Sequence, residues 1–110
     1  MPGKRPPAPP KHLSSESRAL WTATVADYEL EPRHEKTLLV ALEALDRLRE
    51  AQHVIEADGP YPHDRFGQPR AHPALATERD SRVAYLRAMR EIGLDLSEPA
   101  TSRPPTRWRA

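Results

Sequence analysis

Five histidines, two adjacent serines and a spread of arginines are the residues of this chain that could do chemistry. A zinc-hydrolase helix needs two histidines four apart with a glutamate directly after the first. His34-Glu35 begins that pattern, but residue 38 is leucine and the pattern fails. His63, Asp64 and His72 share one segment with Asp58 just before it. Two imidazoles and a carboxylate can hold a metal, and such a site would support a metal-dependent nuclease. Their spacing orients nothing, and His72, directly before Pro73, suits a helix cap better. Ser14 and Ser15 have no base at a useful spacing. The four glycines stand alone at 3, 59, 67 and 93, so no phosphate-cradling loop exists. The expectation is a protein without catalytic residues, metal or cofactor.

Charge is more informative. The net charge of +1 hides a division. Residues 1–12 carry Lys4, Arg5 and Lys11 and no acid, and residues 98–110 carry Arg103, Arg107 and Arg109 against Glu98. The 85 residues between them hold 11 basic and 15 acidic side chains. Basic arms on a mildly acidic body suit a polyanion. Lys4, Arg5 and Lys11 could form one patch with Arg18. Arg33 and Lys36 sit where a helix would begin, and free backbone amides there also attract phosphate. These six are the candidate DNA-binding residues.

The elements that must position them follow from periodicity. Eight of the 13 prolines lie in the two ends, so residues 1–12 and 98–110 are expected to be disordered tails around a helical domain at 13–97. Ser14 can cap a helix over about 14–29, whose stripe is Trp21, Val25 and Tyr28, with Leu20 beside it. Pro32 suits the first position of a second helix over 32–58, which Gly59 ends with a single-bond cap. Residues 59–72 form a loop with a short hairpin around Phe66-Gly67. A third helix over 73–92 is expected to present Leu75, Val83, Leu86 and Met89. Gly93 ends it, and Leu94 folds back on Met89. Arg79 and Arg82 fall near that face and would pair with acids of the second helix or of a neighbour. The fold class is all-α: a short helix, then a long antiparallel helical hairpin.

The second helix carries Leu38, Ala41, Leu45, Leu48, Gln52 and Ile55 at heptad spacing, with Leu39 and Leu42 alongside. At ~40 Å it is longer than the ~30 Å of a compact 85-residue globule. A seam that outruns its globule points to copies packing side by side through Leu38, Leu42, Leu45, Leu48 and Ile55. The other arrangement is an elongated monomer whose first helix covers the seam. The chain has no cysteine, no apolar run of membrane-spanning length and no signal-peptide core, which suits a soluble cytoplasmic protein.

Several stretches together resemble a known family. They are Pro10-Lys11-His12-Leu13-Ser14 leading to Leu20-Trp21, the helix end Ala51-Gln52-His53-Val54-Ile55-Glu56-Ala57-Asp58-Gly59, the loop Phe66-Gly67-Gln68-Pro69-Arg70-Ala71-His72-Pro73-Ala74, and the close Leu86-Arg87-Ala88-Met89-Arg90-Glu91-Ile92-Gly93-Leu94. Over about residues 8–97 the chain resembles the small terminase subunits of tailed bacteriophages. That resemblance implies a homo-oligomeric ring in the host cytoplasm. It would bind double-stranded viral DNA at the packaging start and regulate the large subunit, which holds the ATPase and nuclease. Arg107, Trp108 and Arg109 would then be a docking peptide for the large subunit. The chain departs from many small terminases in lacking a clear N-terminal DNA-binding domain. The alternative function is a helical oligomeric adaptor that binds only protein.

Overall fold

The computed structural model describes residues 5–93 and 106–107. Three helices dominate: α1 (Ser15–Asp27), α2 (Pro32–Asp58) and α3 (Ala74–Ile92), with two-residue strands β1 (Tyr28–Glu29) and β2 (Thr106–Arg107). Ser14 opens α1 from an extended backbone, its hydroxyl accepting the Ser17 amide at 3.1 Å. Glu31, also extended, accepts the His34 and Glu35 amides on its carbonyl, and Pro32 needs no partner for an amide it lacks. Gly59 ends α2 by donating its amide once, to Ile55, at 2.7 Å. Its φ of +81° with ψ of 152° belongs to a region essentially reserved for glycine.

α2 is the central element. Both α3 and α1 pack against it, α3 far more extensively. The core joins Leu38, Leu42, Leu45 and Leu48 of α2 to Leu13, Trp21, Val25 and Ile92, with Leu30, Leu39, Tyr85 and Met89 packed on its margin. Most of the residues expected at an oligomer interface are therefore core within one chain. Leu38, Leu42, Leu45 and Leu48 are at most 5% exposed within one chain, and Ile55 is half-buried. The sizing that left the seam uncovered treats the domain as round. The chain instead packs α1, the 19-residue α3 and the segment preceding α1 on α2, the elongated one-chain arrangement that the sequence left open as its alternative.

The face of α3 also differs from expectation. Ala88 and Ile92 are buried, and Leu75, Glu78, Ser81, Tyr85 and Met89 are half-buried. Val83 and Leu86 are 43% and 55% exposed. Ser81 is half-buried and Ala88 buried, so small side chains lie on the covered face of α3 while the larger Val83 and Leu86 point outward. Arg79 and Arg82 pair with Asp80 and Glu78 of α3 itself rather than with α2.

Both expected tails are partly structured. From Arg5 onward the N-terminal segment is an extended strap. The Trp21 indole N–H donates to the Pro7 carbonyl at 2.9 Å, His12 contacts Glu43 at 2.7 Å, and Leu13 is buried in the core. Prolines exclude helix here, but an extended chain still presents carbonyls, and a buried indole needs one. At the other end, β2 pairs antiparallel with β1, Arg107 opposite Tyr28 and Thr106 opposite Glu29. Lys4, Leu94, Trp108 and Arg109 lie outside the described residues. Among the described residues no helix is long and apolar enough to cross a membrane.

Candidate nucleic-acid interface

The strap is fastened by a buried carboxylate. Asp46, 8% exposed on α2, takes the Ser14 amide on Oδ2 at 2.9 Å. Its Oδ1 accepts the Ser14 and Ser17 hydroxyls at 2.5 and 2.6 Å. The Leu42 carbonyl lies 3.2 Å from the Ser17 hydroxyl, which has only one proton to give. Burial pushes the Asp46 carboxyl up, but the two hydroxyls, the amide and neighbouring Arg47 outweigh it and hold it below the ordinary 3.8. Outside this latch, Arg49 grips Glu16 through Nε and Nη2 at 3.0 and 3.1 Å. The latch thus sets where Lys11 and Arg18 stand, either side of the α1 N-terminus.

The structure divides the five described candidate DNA-binding residues between two places, and Lys4 lies outside the described residues. Lys11 and Arg18 flank the latch. Arg5 lies at the other end of α1, where it lines a cleft of about 160 Å³ with Pro7, Tyr28, Glu29 and Glu35. Arg33 and Lys36 begin α2 beside the same turn, and the β1–β2 pairing brings the Arg107 backbone there too. Thus chain ends a hundred residues apart meet at the α1–α2 turn. Arg5, Lys11, Arg18 and Lys36 are exposed and make no ion pair among the described residues, whereas Arg33 is paired to Glu31 at 2.9 Å. The turn also carries Asp27, Glu29 and Glu35, so its basic character is partly offset.

The loop at 59–72 is a self-contained hairpin at the far end of α2. His63 and Pro69 form an antiparallel bridge. Asp64 organises the tip: Oδ1 accepts the Phe66 and Gln68 amides at 2.8 and 3.0 Å, and Oδ2 accepts the Arg70 Nε at 3.0 Å. The Gln68 amide and Arg70 together hold the Asp64 carboxyl below the ordinary value against slight desolvation, with the Phe66 amide adding to them. Gly67 closes the turn at φ +74°. His72 joins the hairpin to both long helices. Its Nδ1 accepts the Ala74 amide at 3.0 Å, which leaves Nε2–H to donate to Asp58 at 2.8 Å. His72 is therefore the cap the sequence suggested. Its two nitrogens and Asp64's oxygens are engaged in holding structure, and the described residues contain no group of three metal-ligating side chains.

Sequence reasoning missed Asp46 and Asp64 as organisers. An aspartate two residues before a Phe-Gly pair is a turn signal available from the sequence alone. The Asp46 latch had none, because its partners lie about thirty residues away. No protein-family model, curated protein or solved structure matches the chain.

Proposed function

We propose that the chain is a non-catalytic, double-stranded-DNA-binding subunit of a viral genome-packaging machine, acting in the host cytoplasm. This is the role implied by its resemblance to small terminase subunits, with regulation of a large ATPase/nuclease subunit as its output. One observation supports the DNA part most. Six described arginines pair with acids, yet four of the five described candidate residues, Arg5, Lys11, Arg18 and Lys36, are exposed without one. Cations that do not serve the fold are free to displace counterions from phosphate. Self-assembly belongs to the same proposal. With the α2 leucines used within the chain, the outward face of α3 around Val83 and Leu86, where two large apolar side chains stand one turn apart, is the surface we assign to it.

The second reading, a protein-only adaptor, is favoured by Asp27, Glu29 and Glu35 beside the basic chain ends. Gel-shift titration of duplex DNA at two salt concentrations separates the two. The strap is part of the fold, so charge removal is the cleaner variant: Arg5→Gln/Lys11→Gln/Arg18→Gln keeps Pro7, His12 and Leu13. Salt-sensitive binding that this triple variant weakens supports the DNA reading. Absence of binding at low salt supports the adaptor. Light scattering on Leu86→Glu tests assembly, with a lower mass expected and an unchanged oligomer against it.

A further inference from the structure

No side chain between Gly59 and Ala71 is buried, yet this segment is held in one shape. Asp64 binds two backbone amides and one guanidinium, and the Asp64, Arg70 and His72 amides donate to Gln68, Pro62 and Pro60. The hairpin is ordered by polar contacts alone, and its largest apolar group, Phe66, is 72% exposed at the tip. The Arg65 guanidinium lies 4.9 Å from the Phe66 ring centroid and has no acid partner among the described residues. The one carboxylate of the tip, Asp64, is turned into the loop and fully engaged. The tip therefore offers an apolar ring and a free cation on a stiff backbone.

That combination fits a polyanion with an apolar interior. We infer that Arg65 and Phe66 form a wedge that enters duplex DNA, the ring unstacking one base step while the guanidinium meets the flanking phosphate. Apolar wedges of this kind need a rigid mount, because a soft loop would fold away from the base stack rather than part it. Position agrees with chemistry. Along α2 the wedge lies ~40 Å from Arg33 and the basic chain ends. One turn of duplex is about 34–36 Å. A duplex laid along α2 meets cations at one end and the wedge about one turn away. The inference rests on the DNA-binding proposal and adds a stacking contact to its electrostatic one.

The test uses the full chain and a duplex of about two helical turns, with 2-aminopurine at pyrimidine–purine steps, which unstack most readily. Binding of the wild type is expected to raise probe fluorescence about twofold or more. Phe66→Ala abolishes the rise and weakens binding about tenfold, the loss expected for one stacked base. It leaves the salt slope unchanged, because no charge is removed. Phe66→Trp keeps the rise. Asp64→Ala, which frees the hairpin but leaves the ring, loses it. Wild-type protein that binds in a salt-sensitive way without brightening the probe overturns the wedge and leaves the electrostatic proposal standing. So does Phe66→Ala behaving as wild type. Wild type that binds no duplex at any salt overturns the underlying DNA proposal and the wedge with it.

Discussion

Two aspartates, one within α2 and one in the hairpin that follows it, use one device with different consequences. Asp46 and Asp64 each hold an irregular segment by accepting three hydrogen bonds, and each carboxyl sits below its ordinary value as a result. Asp46 is buried between α1 and α2, and its partners lie 29–32 residues away. Asp64 stands in a hairpin without buried side chains, with partners two to six residues away. A buried carboxylate tied to a distant segment contributes to global stability, since its loss unfastens that segment and removes the closer partner of the buried Ser17 hydroxyl. A local carboxylate in a wet loop sets shape only.

The strongest challenge to that contrast is Asp46→Ala. It takes the acceptor from the Ser14 amide and hydroxyl, leaves the Ser17 hydroxyl only its longer contact to the Leu42 carbonyl, and is expected to cost about 2–3 kcal/mol. Thermal unfolding should show it as a fall in Tm of roughly 15 °C. A loss near zero would mean that α1 and its strap are held by Trp21 and Leu13 alone. Ser17→Ala, which removes one of the three donors at a fully buried position, should cost about 1–2 kcal/mol in urea denaturation. Its effect should be non-additive with Asp46→Ala, because the two groups share one bond.

Acid sharpens the comparison further. The folded-state value of Asp46 lies below the unfolded one. Its contribution is therefore fully present above the ordinary 3.8 and is lost as pH falls through the lower folded value. Global stability should be flat with respect to Asp46 from neutral pH to about pH 5 and then decline. The Asp46→Asn variant should lack that component of the decline. Asp64 has the same sign, but its protonation should loosen the hairpin amides in hydrogen exchange without moving Tm. The smallest effect belongs to Asp64→Ala, expected to change global stability by less than about 0.5 kcal/mol while collapsing protection of the Gln68 and Arg70 amides.

These two sites also mark where the sequence was legible. α2 follows from Pro32, the leucine spacing and Gly59, and α1 from Ser14 and the Trp21–Val25 stripe, because those signals are local. The hairpin around Phe66-Gly67 and the His72 cap were legible for the same reason. The outward turn of Val83 and Leu86 was not, since a face is chosen by which side chains let two helices approach, and Ser81 and Ala88 do not register as apolar anchors. The covering of Leu38 to Leu48 was legible only as one of two arrangements. It depends in part on a proline-rich strap that composition marks as disordered and that the Trp21 indole–carbonyl bond, Leu13, the His12–Glu43 contact and the Asp46 latch dock in place. Of the candidate DNA-binding residues, exposure was foreseeable. Their separation into a latch-side pair and a turn-side group was not, because it depends on the strap running back along α1.

The most direct test of the DNA-binding proposal is the salt dependence of duplex affinity. If Arg5, Lys11, Arg18 and Lys36 each neutralise a phosphate, the logarithm of the association constant should fall linearly with the logarithm of salt, with a slope of roughly −3 to −4 per chain. The Arg5→Gln/Lys11→Gln variant should flatten that slope by about two. Duplex affinity that is undetectable in low salt, or that does not change as salt rises, would contradict the proposal.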